Sequence, residues 1–198
     1  MATRIGCDGL VYAKQLTDPY DGPPTYGTVT SAPGVMSLSI NPNASMETIF
    51  YDDGPGEAAS TLGTIEVEIQ KNELTTNEKG DLLGKEIDAK GGLVSGDSDV
   101  PPWVAVGFRT LKSDGTYRYV WLYKGKFMDP EDASETKGDT INFQSETISG
   151  QFARLNQPIE INGRNMRPWK YEVNEGDTDV TELFLDEFFD DVVLPSDT

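Results

Sequence analysis

Histidine is absent from this chain, and cysteine occurs once, at Cys7. The first absence removes Ser-His-Asp and Cys-His catalysis, histidine metal ligation and the usual neutral-pH general base. The second removes an intrachain disulfide and a cysteine-pair zinc site, and Cys7 reads as an inert thiol. Positive charge is scarce as well: 16 Lys and Arg face 34 Asp and Glu, for a formal charge of −18. A field of that sign repels phosphates and excludes wrapping of nucleic acid. No apolar run approaches a membrane span, and no basic-then-apolar leader opens the chain. The expectation is a product made soluble in the cytosol, with no membrane partner. A glycine-rich phosphate loop is missing too, since Gly84-Lys85 lacks the upstream glycine and the following Ser or Thr.

What is present is β-patterned. Apolar residues make up 36% of 198, with aromatics at 10%. That balance suits one domain, residues 1–198, with much surface relative to core and long loops. The stretch Trp103 to Phe127 holds two runs of Val, Phe, Tyr, Trp and Leu around Ser113-Asp114-Gly115-Thr116. Asp-Gly favours the positive φ of a tight hairpin turn. In the second arm Tyr117, Tyr119, Trp121 and Tyr123 share one face, and Arg118, Val120, Leu122 and Lys124 the other.

Further strands are expected at Leu10–Leu16, behind a short polar arm (1–9), and at Val35–Asn41 with Met36, Leu38 and Ile40 on one side. Ile65, Val67 and Ile69 alternate with Thr64, Glu66, Glu68 and Gln70. Asp139–Phe152 places Ile141 and Phe143 opposite Asn142, Gln144 and Glu146, and Trp169, Tyr171 and Val173 alternate after an Asn162-Gly163 turn. One short helix is predicted over Thr76–Leu83, stopped by Gly84, and a terminal one over 179–191, capped by Asp179 with Glu182. Residues 42–63 read as a long loop, because Asp52-Asp53-Gly54-Pro55-Gly56 interrupts any strand. Its Met46, Ile49, Phe50, Tyr51 and Leu62 are apolar for a loop left in water, which implies an extension that lies against something, another subunit being one candidate. Residues 88–102 and 129–138 read as polar loops. The fold class that follows is mainly β, an antiparallel sandwich or barrel with a short flanking helix and a C-terminal helix.

Chemistry is harder to find. Asp52-Asp53-Gly54, Gly96-Asp97-Ser98-Asp99 and Gly176-Asp177-Thr178-Asp179 hint at calcium, yet none follows the spacing of an EF-hand loop, and solvated turns account for them. With 34 acids some carboxylate pair always falls at a workable distance, so a hydrolase reading has no specific support. The ring face of Tyr117, Tyr119, Trp121 and Tyr123 suits core packing or subunit contact, with sugar stacking as the alternative. No catalytic, metal or cofactor site is expected.

Three blocks resemble the major tail protein of phages with long, flexible, non-contractile tails: SINPNASMETIFYDDGPGEAASTLGTIEVEI, WVAVGFRTLKSDGTYRYVWLYKGKF and TKGDTINFQSETISGQF. The resemblance implies hexameric rings that stack into a tail tube around a tape-measure protein. It also implies terminator and baseplate or distal tail proteins at the ends, DNA passing through the lumen without specific binding, and a place in the virion. It makes 42–63 the inter-ring extension, with Met46, Ile49, Phe50, Tyr51, Asp52 and Asp53 as contacts. Glu66, Glu68, Asn142, Gln144 and Glu146 are then expected to line the lumen, where carboxylates keep DNA from sticking. A carbohydrate-binding β-sandwich of a host-recognition device is the alternative function. Residues 155–167 match the family less well and receive no role.

Overall fold

The computed structural model describes residues 2–51, 54–132 and 144–196. The first half of the chain forms β1 (Arg4–Thr17), β2 (Thr25–Tyr26), β3 (Thr30–Ser31), β4 (Val35–Asn41), β5 (Ser45–Tyr51), β6 (Gly54–Thr61), β7 (Ile65–Lys71) and α1 (Thr76–Leu83). After it come β8 (Glu86–Ile87), β9 (Leu93–Val94), β10 (Val104–Lys112), β11 (Tyr117–Phe127) and β12 (Glu146–Ala153). The chain closes with β13 (Ile159–Ile161), β14 (Arg164–Met166), β15 (Lys170–Asn174) and α2 (Glu182–Asp186). The main sheet runs β2-β1-β10-β11-β12-β7-β4, all antiparallel, with β15 added to β11 and β3 to β1. It curls until β4, at one end, lies beside β1. The fold is mainly β, as the periodicity indicates, with two short helices among the described residues.

The aromatic hairpin is the wall shared by two cores. Val104, Val106, Phe108, Val120 and Leu122 point into one cluster with Ile65, Val67, Ile69, Ile148 and Phe152. Ala105, Tyr119, Trp121 and Tyr123 point the other way, onto Leu155, Val173, Leu185 and Phe188. A strand pair buried on both faces needs a near-continuous apolar run, and VAVGF and YVWLY supply it. Trp121 Nε1 donates to the Phe188 carbonyl at 2.9 Å and Tyr123 Oη to the Val193 carbonyl at 2.8 Å.

Those two bonds also explain why the terminal helix is shorter than its pattern. α2 stops at Asp186, and Thr181, not Asp179, caps it by accepting from the Phe184 amide. Beyond Asp186 the chain continues in turns to Val192, and the carbonyls of Phe188 within them and of Val193 just after them accept from the hairpin's side chains. Asp186, Glu187, Asp190 and Asp191 would in any case oppose a longer helix dipole. Helical spacing groups Val180, Leu183, Phe184 and Phe188 on one stripe, yet Leu183 is exposed.

Other differences have local causes. β1 begins at Arg4, so the polar arm is largely strand: Arg4, Gly6, Cys7 and Asp8 pair with β10. A register shift between Val35 and Ser37 puts Val35 with Leu38 and Ile40 on the core side and leaves Met36 exposed. Trp169 precedes β15 and packs on the first core, whereas Tyr171 and Val173 pack on the second. The stretch 88–102 contains β9, which pairs with β8. Asn162 and Gly163 both take positive φ, 51° and 73°, as a two-residue hairpin turn requires. In the Asp114-Gly115 turn only Gly115 does, at 85°, while Asp114 Oδ1 accepts from the Thr116 amide and hydroxyl.

Gly125 makes the closest glycine approach to a core ring among the described residues. The ring of Phe152, its register partner, lies over it, and a Cβ there would sit 2.3 Å from Phe152 Cζ. Gly125→Ala is expected to cost about 1–3 kcal/mol by overpacking. A urea titration checks this, and an unshifted midpoint would show that Phe152 has room to move.

Candidate functional site

Two surfaces carry the sequence-based expectations. The first is the segment 42–63. It is not an irregular loop: β5 and β6 form an antiparallel hairpin that is a sheet of its own. Tyr51 pairs with Gly54, so only Asp52 and Asp53 connect the strands. Pro55 is tolerated because the pairing shifts register between Thr48 and Phe50, where a missing N–H costs little. The base is tightly built. Asn43, at φ 41°, donates from Nδ2 to the Thr64 carbonyl at 3.0 Å, and the Ser45 and Thr61 hydroxyls meet at 2.9 Å. Gly63 closes it, because a Cβ there would lie 2.6 Å from the Asn43 carbonyl oxygen. Of the expected contact residues, Met46 is 75% exposed, and Ile49, Phe50 and Tyr51 belong to β5. Asp52 and Asp53 lie outside the described residues.

The second surface is the outer face of β7. Glu66 and Glu68 are exposed while Ile65, Val67 and Ile69 are buried, in strict alternation. Glu66 sits between Asn41 of β4 and Gln151 of β12, and Glu68 between Ser39 and Ser149. Across three strands the face is therefore polar, with two carboxylates at its centre. Glu146 does not belong to it. It has the parity of Ile148, Gly150 and Phe152, which are buried, and its register partner is the buried Lys71. Its carboxylate accepts from the Leu74 amide at 2.8 Å and from Lys79 Nζ at 2.9 Å. The expected parity counts from Ile141 and Phe143, whereas β12 starts only at Glu146. Gln144 is exposed ahead of the strand, and Asn142 lies outside the described residues.

Glu146 thus anchors α1 instead of facing outward. Burial raises its pKa, but the bonds from Lys79 and Leu74 and the charges of Lys79 and Lys71 outweigh that and hold it below the ordinary 4.5. A depressed carboxylate stabilises the fold above its unfolded pKa, and the contribution disappears as pH falls through the native value. Glu146→Gln is therefore expected to lower the urea midpoint at pH 7, with the gap to the wild type closing below about pH 4.5. A gap that persists unchanged at pH 3 would contradict this role.

The aromatic face meets protein, not water. Trp121 and Tyr123 are fully buried and Tyr119 nearly so, with the Tyr119 and Phe188 rings 5.4 Å apart edge-to-face. Sugar stacking there would require removal of the C-terminal segment. Cys7 is half-buried, and burial followed by the Asp8 charge pushes its thiol up to about 11, which keeps it protonated and slow to react near neutral pH. Among the described residues no three His, Cys, Asp or Glu side chains are placed to hold a metal ion, and no helix is long and apolar enough to cross a membrane.

Sequence reasoning missed one feature: Arg4, Arg118 and Lys170 come together in a groove between β4 and β1. Nothing local in the sequence signals it, because the three residues lie on separate strands of the sheet. The chain matches no protein-family model and no curated protein.

Proposed function

We propose that this chain is a non-catalytic structural protein of a phage tail tube, in which six copies form a ring and rings stack around a tape-measure protein. Terminator and distal tail proteins would close the tube's ends, and DNA would leave through its lumen. The observation that carries the reading is the β5–β6 arm, a hairpin set apart from the main sheet with Met46 exposed at its start. A hairpin rich in apolar residues that, among the described residues, pairs with no other strand has the makings of a subunit contact. The three sequence blocks that resemble major tail proteins support the same reading. Negative-stain images and light scattering of the purified protein test it: rings or tubes are expected, and a monodisperse monomer at high concentration would overturn it.

On this reading the polar face around Glu66 and Glu68 lines the lumen. Fixed carboxylates there exclude phosphates and leave DNA free to slide. Assembled tubes of Glu66→Lys/Glu68→Lys are expected to retain double-stranded DNA at low salt and release it as salt rises, whereas wild-type tubes retain none. Equal retention by both would place that face on the outside.

A further inference from the structure

Positive charge is the rare component of this chain, and the fold concentrates it. The groove at the seam of the curled sheet, between β4 and the N-terminal half of β1, is lined by Arg4, Arg118 and Lys170 and, among the described residues, by a single carboxylate, Glu172. Glu172 Oε2 accepts from Arg118 Nη2 at 2.8 Å and from Lys170 Nζ at 2.7 Å. One carboxylate leaves three cations under-compensated. Arg118 Nε is buried and finds no acceptor among the described residues, so its guanidinium is only partly satisfied by Glu172. The rest of the wall is mostly apolar: Leu38 and Ile40 from β4, with Pro42, Phe108 and Trp169, beside Cys7 and the hydroxyl-bearing Thr110. Among the described residues β4 pairs with β7 alone, so its other edge runs along this groove.

We propose that the groove is the receptor for the β5–β6 arm of a second copy of this chain, an inference that rests on the assembly reading above. Residues 42–63 carry Glu47, Asp52, Asp53 and Glu57, include no Lys or Arg, and intersperse Met46, Ile49, Phe50 and Tyr51. Acidic and apolar together, the arm complements a groove that is cationic and apolar together. The total charge points the same way. Two chains at −18 repel, and stable contact needs a local reversal of sign. The Arg4, Arg118 and Lys170 groove provides that reversal, and the arm is the segment of matching character.

Cys7, the chain's one thiol, also lines this groove and gives the test. In the full-length Asp53→Cys variant, oxidation of preassembled particles by added diamide at about pH 9, with time allowed for the slowly ionising Cys7 thiol, is expected to join the introduced thiol of one copy to Cys7 of the next. The two thiols lose their protons and electrons to the diamide, which leaves as its hydrazine. The product is a ladder of covalent oligomers on a non-reducing gel, abolished by Cys7→Ser. A second arm uses charge alone: Arg4→Glu should raise the concentration needed for assembly on the order of tenfold, and Asp52→Lys/Asp53→Lys in the same chain should restore it. Rings or tubes that form normally in Arg4→Glu, with no Cys7 cross-link or only an intrachain one, would overturn the receptor assignment and leave the tube reading standing. Absence of any assembly in the wild-type protein would remove both.

Discussion

Lys71→Met is expected to destabilise the monomer by about 3–5 kcal/mol. Lys71 and Glu78 are both almost wholly buried and form an ion pair between β7 and α1. Glu78 has two duties there. It takes the lysine, and it accepts from the Thr75 amide at 2.8 Å as the third residue of a capping box. Removing the lysine strands a carboxylate among Leu10, Ile69, Leu74 and Ile148, with only that amide to satisfy it. Lys71→Met/Glu78→Gln removes both charges and keeps an acceptor for Thr75, so it should recover most of the loss. With a urea m-value of about 2 kcal/mol/M, the single variant's midpoint falls by roughly 2 M. A double variant no more stable than the single one would mean that the pair's charge is not what the site requires.

This pair shows why α1 matters to a protein whose sheet is its bulk. The helix is only eight residues long and contains Gly80, so its own propensity is weak. It is fixed from outside itself: Tyr12 Oη donates to Asp81 at 2.8 Å from β1, Lys71 reaches Glu78 from β7, and Lys79 meets Glu146 of β12 at 2.9 Å. Three strands are thereby tied to one short helix.

Features governed by near neighbours were legible in the sequence. The bounds of α1, its stop at Gly84 with φ 70°, the alternation of β7 and the partition of the hairpin's rings all follow from residues within a few positions of each other. What escaped depends on partners far along the chain. Carbonyl acceptance from Trp121 and Tyr123 keeps the region after Asp186 in turns, although its apolar spacing is helical. The parity of Glu146 is set by its pairing with Lys71, not by Ile141. The cationic groove draws on Arg4, Arg118 and Lys170, and proximity across a curled sheet leaves no trace in any local window. The arm is an intermediate case. Its Gly and Pro content argues correctly against the main sheet and wrongly against pairing, because a hairpin standing alone tolerates both at its edges.

Cutting that arm short is expected to abolish assembly while leaving the domain folded. Ser45 and Thr61 are register partners with hydroxyls 2.9 Å apart, so residues 46–60 can be replaced by Asn-Gly and the strands rejoined by a two-residue turn. The Asn43 to Thr64 bond and the Gly63 crossing at the base remain. β5 and β6 form a two-stranded sheet of their own, so thermal stability should change by less than about 1 kcal/mol. Association is another matter. The replaced stretch holds Met46, Ile49, Phe50 and Tyr51 with all four of the arm's carboxylates. Loss of such a cluster should weaken association on the order of 100-fold or more. Sedimentation velocity is then expected to find monomers or isolated rings where the intact chain gives long particles. Full-length tubes from the shortened chain would sink the arm as the joint between subunits, and a molten or aggregated product would show that the arm helps to fold the domain.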